Sequence, residues 1–189
     1  MVVPMRFRTP AFCAAVFVAT LGLGCCEPTK RNGPPATPEA LSKLKAETPK
    51  AVPQVTFAGG DGATHELEQL RGRYVLLNLW ATWCAPCVRE LPALGRLQAA
   101  VGKSQFVIVP VNVGRGTAAE TATFLKTNKA ALPVYLDTKN TFLHAFGAFG
   151  LPLTVLIDPT GREIARASGA VHWDAKDSIA YFRSLKAGG

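Results

Sequence analysis

Histidine is scarce in this chain. Only His65, His144 and His172 occur in 189 residues, all far in sequence from the one Cys-x-x-Cys, Cys84 to Cys87. A structural zinc site takes four ligands, usually from two such pairs or from Cys and His together. That role is set aside, and no metal is expected. No run of five like charges occurs either, and no nucleic-acid signature accompanies the 21 Lys+Arg. Setting aside Arg6 and Arg8 leaves 19 basic against 13 acidic residues, scattered as a basic solvated surface. Nucleic acid is therefore not an expected partner. The chain also lacks internal repeats and any uncharged apolar run of spanning length; Ala11 to Gly24 is too short for a typical membrane helix.

That short apolar run follows Arg6 and Arg8 and closes at Glu27, the pattern of an export signal. Gly24-Cys25 at its end resembles a lipoprotein box, with Gly22 standing where Leu is usual. Residues 1–26 are thus expected to be a signal peptide or a membrane anchor, with Cys25 as a possible lipidation site. Either places the rest outside the cytoplasm. Residues 27–50 carry Pro28, Pro34, Pro35, Pro38 and Pro49 among polar residues and read as a tether with one helical turn at most.

Residues 51–189 read as one α/β domain. Short strands are expected at 55–57 and 64–66 around Gly59-Gly60-Asp61-Gly62, with a short helix at 67–70. Tyr74 to Trp80 is almost continuously apolar, as a strand buried on both faces should be. Val88, Leu91, Leu94 and Leu97 repeat at helical spacing over 85–101, and Pro92 predicts a kink. A second buried strand follows at 106–113. Thr117 and Glu120 form a capping-box pattern for a helix over 117–127. A short strand at 134–136 and a helix at 141–146 precede a hairpin, 153–157 and 163–168, around Asp158-Pro159-Thr160-Gly161. Asp174 is expected to cap a last helix reaching about 186. The pattern predicts a mixed sheet flanked by helices.

Of five cysteines, Cys13, Cys25 and Cys26 belong to the export segment. Cys84 and Cys87 stand at a junction between a buried strand and a helix. Free N–H groups and the macrodipole at a helix start stabilise an anion, and a thiolate is the reactive form of cysteine. Pro86 fits the first turn, where a missing N–H costs nothing. Residues three apart in a helix have Cβ atoms about 5–6 Å apart, and a slightly tightened first turn closes this to the roughly 3.5–4.5 Å that a disulfide needs, so a redox disulfide Cys84–Cys87 is expected, with Cys84 exposed and Cys87 shielded. A purely structural disulfide would join distant segments. Peroxidase chemistry of the familiar kind places Thr three residues before the attacking cysteine; Thr82 is two before Cys84.

Leu79 to Pro92, with Trp83-Cys84-Ala85-Pro86-Cys87 at its centre, resembles the active-site block of the TlpA/ResA branch of thioredoxin-like proteins. Gly150 to Gly161 and Gly169 to Trp173 resemble later blocks of the same branch. The resemblance implies a thioredoxin-like fold and a protein thiol–disulfide oxidoreductase without cofactor. Cys84 would attack and Cys87 resolve; Trp83 would cover one side. Pro152 would be cis, Leu151 would offer its backbone to a partner, and Glu90 would support the site from the helix. It implies reduction of cysteine-containing periplasmic proteins, such as apocytochromes c or proteins of an oxidase copper site. A membrane electron-relay protein would recharge the pair. The chain is expected to act as a monomer. A copper metallochaperone and a disulfide-donating oxidase are the alternatives. Two departures stand out. Asn78 occupies the place of a buried Asp in thioredoxins, leaving water or Glu90 to take the Cys87 proton. Leu153 follows Pro152 where Thr is common, which predicts a more apolar docking groove.

Overall fold

Among the described residues, eight strands build one sheet with helices on both faces. The computed structural model describes residues 36–185, which lie within one compact unit, Asn32–Gly189. The segment expected to be a signal peptide or anchor, residues 1–26 with Cys25, lies outside the described residues. A 3₁₀ turn, Glu39–Leu41, leads to the strands β1 (Lys45–Ala51), β2 (Thr56–Gly59) and β3 (Thr64–Glu66). A second 3₁₀ turn, Leu67–Leu70, precedes β4 (Tyr74–Trp80), α1 (Ala85–Val101), β5 (Phe106–Asn112) and α2 (Ala118–Thr127). Then come β6 (Tyr135–Leu136), α3 (Phe142–Ala145), β7 (Leu153–Ile157), β8 (Arg162–Ser168) and α4 (Lys176–Ser184). The strands lie in the order β1-β8-β7-β4-β5-β6-β2-β3. β4 pairs parallel with β5 and antiparallel with β7, so the sheet is mixed.

The continuous apolar run of β4 explains its place at the centre. Val75, Leu77 and Leu79 enter the core layer that holds Phe142, Phe146 and Val155. Leu76 and Trp80 enter the opposite layer with Leu91, Leu94 and Phe182, under α1 and α4. Strand periodicity puts Asn78 on this second face, toward α1. No helix among the described residues is long and apolar enough to cross a membrane.

Three expectations require correction. The tether expected over 27–50 is folded from Glu39 onward. Leu41 and Leu44, three apart in a polar stretch, are both buried, and Lys45–Ala51 adds an edge strand to β8. Lysines and a proline suit an edge strand, which is why composition read as linker. Asp174 does not cap α4. Its carboxylate takes Arg96 Nε at 2.7 Å, and Ala175 stands at the cap without a side-chain bond. Leu153 is buried against Leu79 and lines no groove. Pro92 sits inside α1 without ending it, whereas the capping box of Thr117 and Glu120 forms as expected.

An ion pair between the half-buried Arg166 and the buried Glu163 fixes the loop before β7. Arg166 grips the Glu163 carboxylate at 2.7 and 3.0 Å and donates to the Phe146 carbonyl at 3.0 Å. Glu163 also meets Lys50 at 3.6 Å, but Lys50 is mostly in solvent. Losing one partner of a buried pair costs far more than losing an exposed one. Arg166→Leu is therefore expected to cost about 3 kcal/mol in urea unfolding, and Lys50→Ala less than about 1 kcal/mol.

Candidate functional site

The end of β4 turns directly into α1, and the turn is Ala81 to Cys84. Cys84 N donates to the Ala81 carbonyl at 3.1 Å, and the Cys84 carbonyl takes Val88 N at 3.1 Å, starting the helix. Cys84 is thus the N-cap, and its Sγ accepts from Cys87 N at 3.4 Å. Ala85 and Pro86 fill the first turn. Cys84 and Cys87 form a disulfide, with Cα atoms 5.3 Å apart. The expectation that Cys84 is exposed needs amending. It is 5% exposed and Cys87 0%. The capping position draws the Cys84 sulfur onto the helix end, and the side chain presented to solvent is Trp83, 71% exposed. Of the two residues, Cys84 keeps the greater exposure.

One helical turn below Cys87 stands Glu90, on the same buried face and 4% exposed. Its Oε1 accepts from Asn78 Nδ2 at 2.9 Å. Its Oε2 accepts from Trp173 Nε1 at 3.1 Å and from Val171 N at 3.2 Å. Burial pushes this carboxyl up to about 7; the three hydrogen bonds and the Lys43 charge pull the other way without winning. Such a group exchanges a proton near neutrality. Asn78 Nδ2 also donates to Thr154 Oγ1 at 2.9 Å, while Asn78 Oδ1 has no donor among the described residues.

Leu151–Pro152 is cis, and it precedes β7 at the sheet end where β4 finishes, since Leu153 pairs with Leu79. The backbone N–H and carbonyl of Leu151 meet no hydrogen-bond partner among the described residues. Trp83, Cys84, Pro86 and Cys87 belong to the β4–α1 junction, Leu151 and Pro152 to the loop entering β7. These two segments leave the same end of the sheet, and Glu90 lies beneath the first. Thr154, Val171, Trp173 and Lys43 are the members of the Glu90 environment that sequence reasoning missed. Their signal was faint: Thr154 and Asn78 are lone polar residues in otherwise apolar strands.

A mixed sheet flanked by helices, with the Cys84–Cys87 disulfide at the start of α1 and the cis Leu151–Pro152 bond at the same end of the sheet, is a thioredoxin-like fold. Residues 49–165 match the AhpC/TSA family, and the chain belongs to that family. It is 38% identical over 120 residues to the thiol-disulfide oxidoreductase ResA of Bacillus subtilis, a match covering 63% of this chain and 66% of that protein. The chain thus spans just under two thirds of that relative's length. A solved structure described as a putative thiol:disulfide interchange protein DsbE, from Chlorobium tepidum, superposes with a TM-score of 0.62. It is 26% identical, over 72% of this chain and 99% of that one. An exposed lipoprotein thioredoxin of Streptococcus pneumoniae gives 0.57 at 25% identity, over 70% of this chain and 100% of that one.

Proposed function

We propose that this protein is an exported thiol–disulfide oxidoreductase, held at a membrane through its N-terminal segment, that reduces disulfides in cysteine-containing exported proteins. The observation that carries the reading is the bridged pair at the start of α1, with the buried carboxyl of Glu90 one turn below pushed up to about 7 by burial. In the reduced form, the Cys84 thiolate attacks one sulfur of a partner's disulfide. A mixed disulfide forms and one partner sulfur leaves as thiolate. The Cys87 thiol then gives its proton to Glu90 and attacks Cys84 Sγ. The Cys84–Cys87 bond forms and the second partner sulfur leaves. The partner gains two electrons and the pair loses two, so a membrane electron-relay protein must return them.

Cysteines of apocytochromes c, or of an oxidase copper site, are the substrates the reading favours. The basic-then-apolar segment before Glu27 supports export, and Gly24-Cys25 supports a lipid anchor. The lipoprotein nature of the pneumococcal relative points the same way. Redox direction is tested by equilibrating the full chain with glutathione buffers. Cys-x-x-Cys proteins span about −270 to −120 mV. A midpoint below about −200 mV is expected; one above about −150 mV would make the pair a disulfide donor instead.

A further inference from the structure

Two large apolar side chains stand in solvent among the described residues, Trp83 and Phe149. Trp83 adjoins Cys84. Phe149 shares a loop with Leu151 and Pro152, and the two segments leave the same end of the sheet. Phe149 is fully exposed, although its loop neighbours Phe146, Ala148 and Leu151 all pack on the core. The loop is not loosely hung, because Arg166 holds its start through the Phe146 carbonyl. Space is also open at the next residue: among the described residues, a Cβ placed on Gly150 would meet no atom within 4 Å. From Ala145 to Ile157 the chain carries no charge, so the segment itself offers no ionic selection.

We propose that Phe149 is a specificity contact for the protein substrate. It receives an apolar side chain flanking the cysteine of an extended, uncharged partner segment. That segment's backbone hydrogen-bonds to the open N–H and carbonyl of Leu151, which sets the partner's cysteine against Cys84 and its neighbouring side chain against Phe149. An exposed Phe in the free protein buries nothing, and a partner's apolar side chain covers it only in the complex. The inference rests on the proposed exchange with protein substrates and adds which sequences are preferred.

The test uses the reduced full chain and two peptides, each with one cysteine bridged to glutathione, differing only by Leu or Ser beside that cysteine. Each turnover releases the peptide thiol and glutathione and closes Cys84–Cys87. The Leu peptide is expected to react about tenfold faster, the worth of one modest apolar contact. Phe149→Ser is expected to bring the ratio close to one, and Phe149→Leu to keep most of it. The ratio is internal to each variant, so a change in the amount of folded protein cancels. A Leu-to-Ser ratio below about twofold in the wild type, or one unchanged in Phe149→Ser, overturns the specificity contact while the exchange reading stands. No reaction with either peptide, while oxidised glutathione is still reduced, overturns the reading on which it rests.

Discussion

Cys87→Ser is expected to accumulate a covalent complex with a disulfide-bearing substrate, whereas Cys84→Ser forms none and loses exchange altogether. The asymmetry follows from position. Cys84 caps α1, where the helix N–H groups stabilise its thiolate and where the pair keeps its only exposure. Cys87 is sealed beneath it, so its role is confined to attacking a sulfur already bonded to Cys84. Removing Cys87 stops the reaction at the mixed disulfide; removing Cys84 leaves a sulfur that no partner reaches. Non-reducing electrophoresis after acid quenching reads both outcomes. Equal trapping by both variants would contradict the assignment of attacker and resolver.

The second large effect is expected at Glu90. Glu90→Gln keeps the shape and removes the proton acceptor. Trp173 and Val171 still donate to one oxygen, and the new amide finds an acceptor if Asn78 turns its orphaned Oδ1 toward it. The fold is therefore expected to survive, with the resolving step slowed about 10²- to 10³-fold, as for loss of a general base. Single-turnover kinetics should show the wild-type rate of resolution rising through about pH 7 with ionisation of Glu90, and the variant lacking that step. Stability should move independently. Because burial raises the Glu90 pKa above its unfolded value, the folded state holds the proton more tightly. Its stabilising contribution is complete below about pH 4.5 and is lost as pH rises to about 7. Above pH 7 the buried anion costs on the order of 3 kcal/mol relative to acid conditions. Glu90→Gln should remove that slope and melt higher than wild type at pH 8. A variant with unchanged resolution kinetics and an unchanged pH slope would show that Glu90 only fills space.

Most of the fold was legible because its strands and helices announce themselves locally. Tyr74 to Trp80 and Ala85 to Val101 have the bounds that apolar runs and periodicity set. The cysteine pair was legible for the same reason, being local to one junction. What the sequence hid is long-range. The bonds from Trp173 and Val171 to Glu90 span more than eighty residues, and no local pattern announces them. Lys45–Ala51 has the composition of a linker and becomes a strand only because β8 presents a free edge. Asp174 had the chemistry of a cap, yet Arg96 from α1 claimed it. Phe149 carries no local sequence signal, and only the folded loop shows that it faces outward.

Reversible two-electron cycling of the pair tests the central claim most directly. The full chain, reduced and then returned stepwise to oxidising glutathione buffers, is sampled by alkylation and mass spectrometry of the Cys84–Cys87 peptide. The two thiols should appear together, disappear together and follow one two-electron curve in both directions. Thiols that titrate singly, or a bond that does not re-form, would contradict it.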